Sequence, residues 1–315
     1  ETITQGHWPI GQAVLLILGM IATVYAIKAG FAAKQPLTVV LLILAIGISM
    51  LSLFIRIQLR SAAPMLDLSL FSRPAIVAGI IMAIVASGSL AGVELTLAQE
   101  LQYVLGKTPL QAGVFLIPIM AAAALGGPVA GWLSGRFGLR AVACLSLVVS
   151  SGALAGLAAA DFHDPGLIVP ILLATLGLSL SIGLTASSIA IMGAADAHEA
   201  GAAGSLEATG YELGSGLGIT LFGVFMSVVF GRNLALPEGV PDLLAEQAAL
   251  SIGDVYITAQ QLGADQGAAI IAAGKVAFSA THSVLLTTAA VLMGLLTILV
   301  YCLLHQSRPV RASHH

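Results

Sequence analysis

The sequence predicts an all-α membrane protein with about eight transmembrane helices, and two observations carry that prediction. Of its 315 residues 58% are hydrophobic and only 9% charged, with a mean hydropathy of +1.02. A soluble domain is about 25% charged, so most of this surface has to face lipid. The apolar residues also gather into runs of roughly the twenty needed to cross a bilayer core. Such runs lie near residues 11–27, 36–55, 74–98, 112–133, 141–159, 166–192, 208–230 and 283–304.

The connections between these runs are read in chain order. Lys28 and Lys34 lie between the first two, and Arg56, Arg60 and Arg73 between the second and third. Gly138 permits a tight turn between the fourth and fifth, with Arg136 and Arg140 anchoring it near helix ends. Asp196, His198 and Glu199 precede the seventh run. They lack the spacing of metal ligands on one helix face and read as a solvated loop with N-cap character. Residues 231–282 form a long connection, turn-rich at Leu236 to Pro241, with short helices expected around 243–249 and 259–278. By loop parity, seven Lys or Arg residues (Arg56, Arg60, Arg73, Arg136, Arg140, Arg308, Arg311) lie on the side of the C-terminus. Three in short loops (Lys28, Lys34, Lys107) lie opposite. The positive-inside rule then predicts a cytoplasmic C-terminus and an external 231–282 loop.

Composition also excludes functions. A net charge of −3 without a basic cluster offers nothing to nucleic acid. No phosphate-binding glycine loop, no Ser/His/Asp constellation and no zinc spacing occurs, so neither an enzyme nor a metal site is expected. Cys144 and Cys302 lie far apart in apolar runs and are expected to be small buried residues, not a disulfide. No basic leader precedes the first run, and the chain opens on Glu1, which reads as a piece of something longer.

The motifs are more specific. Gly131-Trp-Leu-Ser-Gly-Arg-Phe-Gly-Leu-Arg140 resembles the G-x-L-a-D-R-x-G-R-R/K loop of the major facilitator superfamily, with Gly135 in place of the aspartate. It is similar to the weaker copy found in the second half of those transporters. Pro64-Met-Leu-Asp-Leu-Ser-Leu-Phe-Ser-Arg-Pro74 resembles the P-L-L-D-L-x-L-F segment of the drug:proton antiporter branch with fourteen spans. Residues Leu101 to Gly113, followed by Leu116-Ile-Pro118, resemble that branch's L-Q-x-v-x-G-x-s-P-x-x-A-G-x-x-x-l-P pattern. Gly204-Ser-Leu-Glu-Ala-Thr-Gly-Tyr-Glu-Leu-Gly-Ser-Gly-Leu-Gly218 is similar to the acidic, glycine-bearing thirteenth helix of its quaternary-ammonium exporters. The resemblance implies an extra helix pair at 1–63 and a C-terminal six-helix bundle at 64–315. It also implies an N-terminal bundle that this sequence does not contain.

Candidate site residues follow from the acids. Carboxylates inside a span are costly and usually handle protons, ions or cations. Glu212 is the leading candidate for proton coupling or cation binding, with Glu207 and Glu94 behind it. At about 100° per residue Glu207 and Glu212 sit roughly 140° apart, which predicts different cavity walls rather than a pair. Glu94 is expected about half a membrane thickness or more from Glu207. Tyr211, Gln99, Glu100 and Tyr103 are candidate substrate contacts, Glu100 near a mouth or surface. Glycines 210, 214, 216, 218 and 223 are expected to allow close helix approach.

The expected function is the C-terminal part of a proton-coupled secondary transporter that exports lipophilic cationic drugs. It would work without a cofactor, on a proton gradient, in a bacterial inner membrane, and would confer antimicrobial resistance. The alternatives are a non-transporting membrane scaffold, a half-chain needing a partner bundle, or a facilitator of another small-molecule class. The spans show no core basic residues, which argues against an anion carrier.

Overall fold

The structure, a computed structural model, describes residues 10–32, 35–60 and 68–306. Among them are eleven α-helices: α1 Ile10–Ala32, α2 Leu37–Arg60, α3 Pro74–Gln99, α4 Pro109–Phe115, α5 Ile117–Phe137, α6 Leu139–Ala159, α7 Ile168–Ala194, α8 Ala200–Asn233, α9 Asp242–Ala248, α10 Ile252–Gln260 and α11 Ala264–Gln306. Eight helical stretches are long and apolar enough to cross a bilayer. The chain is an all-α, multi-pass membrane protein.

Local chemistry sets the helix boundaries. Pro74 begins α3, where its missing N–H costs nothing. Thr108 and Gln111 close a reciprocal capping box at α4, and Ser251 caps α10 by accepting from the Asp254 N–H. Gly138, at φ +88°, separates α5 from α6 with a backbone conformation that a side chain would strain. The run expected at 112–133 breaks at Leu116, because Pro118 starts a new helix and the chain turns there.

The other large departure is in α11. The separate helix expected at 259–278 is instead the first part of one helix of 43 residues. At 1.5 Å per residue it is about 65 Å long, against a hydrocarbon core of about 30 Å. The span therefore continues out of the bilayer without a break, since no proline or helix-ending glycine motif interrupts it. The seventh span is likewise longer than expected, running through α8 from Ala200 to Asn233.

Helix α3 is the axis of the bundle and packs against α7, α8 and α11. Its seam with α8 is made by backbone: Gly214 lies against Ile84 and Ser87, and Gly218 against Gly88. With little hydrophobic drive between helices in lipid, such small-residue seams let dispersion and backbone contact hold the pair. Of the glycines expected to act this way, Gly210, Gly214 and Gly218 are buried at the seam. Gly216 and Gly223 have open space where a side chain would stand. Gly177 on α7 meets the Ile119 carbonyl of α5 in the same manner. A buried cluster around Met82, Leu147, Leu173, Leu286 and Met293 joins α3, α6, α7 and α11.

The bundle has two distinct ends. At one, the arginine end, lie Arg73, the Gly138 turn and the C-terminus of α11. At the other, the cap end, α9 and α10 fold over the ends of α8 and α11, burying Ile252, Val255, Phe230 and Phe278 together. Helices α1 and α2 pair through Gly19 and Gly47, touch α8 through α1, and expose most of their apolar surface. Cys144 is half-buried and Cys302 exposed, and both are free thiols. The expectation that both are buried is corrected for Cys302, which lies on the outer face of α11 beside exposed Ile298, Leu299 and Tyr301.

Candidate substrate and proton site

A cavity of about 510 Å³ lies where α3, α7 and α8 diverge. Helix α8 contributes Gly204, Glu207, Ala208, Tyr211 and Glu212, and α7 contributes Ser181, Leu184, Thr185, Ser187 and Ser188. Both carboxylates therefore line one cavity, which corrects the expectation of separate walls. The 140° between them is real, but Gly204, Ala208 and Tyr211 fall inside that arc. A wide cavity open along this side of α8 takes in the whole arc. Glu207 is half-buried beside the α3 seam, while Glu212 and Tyr211 are exposed on the open side.

The facing wall is hydroxylic, a feature not extracted from the sequence. Residues 181, 185 and 188 share one face of α7 at i, i+4 and i+7, which is the signal available beforehand. Ser181 Oγ donates to the Ala123 carbonyl at 2.6 Å and Ser187 Oγ to the Leu184 carbonyl at 2.6 Å, so their hydroxyls are oriented by backbone. Two further grooves, of about 410 and 490 Å³, carry no ionisable side chain.

The remaining candidates lie elsewhere. In the parallel α3–α8 seam Gly88 stands opposite Gly218. By that register Glu94 is about 18 Å along the axis from the level of Glu212 and about 25 Å from that of Glu207. Glu94 is half-buried and lies outside the cavity that holds Glu207 and Glu212. Gln99 is half-buried near the cap end. Tyr103 stacks on the cap, its ring 5.5 Å from that of Tyr256, and its carbonyl accepts from the Tyr256 hydroxyl at 2.5 Å. Burial and the neighbouring Tyr103 push the Tyr256 phenol above its ordinary range.

Glu100 is corrected outright. It is 5% exposed and faces His282 of α11, not a mouth or surface. Glu100 continues the buried face of α3, seven residues after Val93, four after Thr96 and three after Leu97, and the π-helical turn Glu100–Val104 begins with it.

The arginine-end motif forms as a turn. Gly131 lies on α5 with open space beside it. Arg136 lies over the rings of Trp132 and Phe137. Past Gly138, Arg140 Nη1 donates to His305 Nδ1 at 2.6 Å and its guanidinium lies over Tyr301. The α6 start is thereby tied to the end of α11. Asp196 and Glu199 cap each other's backbone, and Arg73 reaches Glu199 with two bonds of 2.8 and 3.0 Å. Asp196, His198 and Glu199 are close enough to hold an ion, yet the ion pair already uses Glu199. The Pro64–Asp67 part of the second motif, Lys34, Arg308 and Arg311 lie outside the described residues.

The fold and cavity thus define a polytopic helical membrane protein with two carboxylates of one helix lining one cavity. No family model matches the sequence. The chain is 41% identical over 289 residues to the methyl viologen resistance protein SmvA of Salmonella typhimurium, a match covering 92% of this chain and 58% of that protein. It is 30% identical over 237 residues to the multidrug efflux pump LfrA of Mycolicibacterium smegmatis, covering 74% and 46%. It is 26% identical over 209 residues to the tetracenomycin C resistance and export protein of Streptomyces glaucescens, covering 66% and 38%. The relatives are transporters, not enzymes, and the resemblance to the drug:proton antiporters of the major facilitator superfamily extends over most of the chain. The chain spans about half the length of the curated relatives it matches.

Proposed function

We propose that this chain is the C-terminal part of a proton-coupled secondary transporter that exports lipophilic cations. The observation that carries the reading is the placement of Glu207, Tyr211 and Glu212 together in one hydroxyl-lined cavity. Two carboxylates there balance either two protons or a doubly charged organic cation. Protonation removes the charge that holds the cation, and cation binding displaces the protons. Tyr211 adds an aromatic face for a flat cation. The relative named for methyl viologen resistance is in keeping with such cargo, since methyl viologen is a flat aromatic dication.

In this reading residues 1–63 are an added helix pair and residues 64–315 the six-helix bundle. The open face of α8 is covered by an N-terminal bundle, and cargo passes as one bundle rocks against the other. The protein sits in a bacterial inner membrane with the arginine end and C-terminus in the cytoplasm, following the bias of Arg and Lys among the short loops. Glu94 serves as a second acidic station nearer the cap end, and Gln99 lies on the way out.

The test is efflux of a fluorescent lipophilic cation from vesicles bearing the full-length protein under an imposed proton gradient. Replacing Glu212 by Gln is expected to lower the rate at least about tenfold, the scale of a lost charge–charge contact. Unchanged transport at every pH would remove Glu212 from the coupling site.

A further inference from the structure

We propose that Glu100 and His282 form a second proton-binding site, sealed inside the cap end of the bundle and separate from the cavity carboxylates. The pair joins three elements. Glu100 opens the π-turn after α3, His282 comes from α11, and the Leu157 carbonyl comes from α6. The two side chains are 6% and 4% exposed.

The ring's two nitrogens fix the proton count. Nε2 lies 2.9 Å from the Leu157 carbonyl oxygen, which can only accept, so Nε2 carries a proton. Nδ1 faces Glu100 Oε2. A neutral ring with its proton on Nε2 would present the Nδ1 lone pair to a carboxylate oxygen, which repels it. Neither atom has a hydrogen-bond partner among the described residues, and relieving the contact takes one more proton, carried on Nδ1 or on the carboxylate. With it the pair is neutral overall. On its release to water the pair becomes a neutral imidazole beside a carboxylate, with net charge −1. Burial penalises that charge, so loss of the proton loosens the packing of the π-turn against α11 and α6. The turn is part of the device: Leu105 N–H bonds back to the Glu100 carbonyl at 3.0 Å, five residues earlier. Wide turns of this kind cluster at functional sites in helices.

The surroundings leave the pair to itself. Phe162 from the α6–α7 loop packs edge-on to the His282 ring, at 4.9 Å. Phe115 of α4 lies behind Phe162, with Lys107 over its ring, so that cation is two rings away. Glu94 is six residues before Glu100 on α3 and points about 240° around the helix from it. Lys275 is two turns before His282 on the same face of α11, about 10 Å along the axis. Asp161 and His163 contact each other in an exposed loop, Asp254 bonds to Ser251, and Tyr256 bonds to the Tyr103 carbonyl. Arg140 and Cys144 on α6 and His305 on α11 belong to the other end; Arg232 and Asp265 sit at the cap-side ends of α8 and α11. Glu100 lies about 39 Å along the axis from Pro74, past the span of an apolar core of about 30 Å. Its level is that of the cap side of the bundle, away from the Glu207–Glu212 cavity.

The experiment reads proton binding directly and does not depend on the export reading. Full-length protein labelled with 15N-histidine is placed in nanodiscs and its imidazole signals followed from about pH 5 to about pH 10. His282 is identified by its loss in His282→Gln. Nε2 is expected to stay protonated throughout while Nδ1 passes from protonated to unprotonated. Glu100→Gln is expected to change the proton affinity of His282 at least about tenfold, one pH unit, and Glu100→Asp to change it less. An Nδ1 signal in the unmodified protein that stays constant over the whole range overturns the proposal. So does a midpoint that Glu100→Gln leaves in place. If Glu100→Gln fails to fold, the titration of the His282 signal in the unmodified protein still supports or overturns the proposal by itself.

Discussion

Acidic groups occupy two regions of this bundle under opposite conditions. Glu207 and Glu212 stand on a face of α8 with a hydroxylic cavity in front of them and few neighbours. Glu100 is closed in at the cap end, with His282 against it. An open carboxylate exchanges its partner easily and contributes little to the fold. A sealed one has its partner built in, and the fold depends on that partner. The same side-chain chemistry therefore supports cargo exchange in one place and helix anchoring in the other.

The comparison is tested most strongly by crossing activity with stability. Replacing Glu207 and Glu212 together with Gln is expected to reduce proton-driven cation efflux by about a hundredfold or more, as for desolvated charge pairs. The thermal unfolding temperature in detergent should stay the same or rise, since two unpaired charges disappear. A large loss of stability in this variant would mean that the open site is structural after all. Glu100→Gln should do the reverse. It strands the His282 ring against an amide in a buried site, at a cost on the order of 3–5 kcal/mol for a broken buried pair. Replacing both partners by apolar residues, Glu100→Leu with His282→Leu, should recover a good part of the loss that either change causes alone. Additive effects of the two changes would show that the contact carries no coupling.

The third test separates the seam from its surroundings. A Cβ at Gly218 would collide with the Gly88 carbonyl oxygen, a backbone atom that cannot swing aside. Gly218→Val should therefore cost about 1–3 kcal/mol through overpacking. Gly216 is two residues away with nothing within 4 Å. Gly216→Ala should gain about 0.5–1 kcal/mol from helix propensity alone. Equal effects at the two positions would break the claim that α8 has one packed and one open face.

These positions also show what the sequence could reveal. The spans are legible because length and apolar composition decide them, and the acids of α8 stand out because a carboxylate is costly in a span. Close approach at Gly214 and Gly218 is legible as a class, but the sequence does not distinguish them from Gly216 and Gly223. That distinction depends on which side of α8 meets α3. Glu100 shares the face of Val93, Thr96 and Leu97 by ordinary helical spacing, but its place near the end of the third run reads as a mouth, and the sequence does not show that α11 and α6 close over it. Its partner is 182 positions later, one residue ahead of the apolar run that begins at 283. No local pattern joins residues so far apart, and the apolar pattern divides α11 where His282 sits.

The smallest effect concerns how the cap is fastened next to the sealed pair. Tyr103 and Tyr256 face each other, but the hydrogen bond between them runs from the Tyr256 hydroxyl to the Tyr103 carbonyl. Tyr103→Phe keeps that carbonyl and the ring contact, and should be close to neutral. Tyr256→Phe removes the donor while keeping the ring, and should cost about 1 kcal/mol, the net value of one such bond. Hydrogen exchange in α10 should rise in Tyr256→Phe while exchange in α8 near Glu212 stays unchanged, because the two lie at opposite ends of the bundle. If exchange rises equally around Glu212, the ends are coupled through α8. The open and sealed sites would then be parts of one mechanical unit.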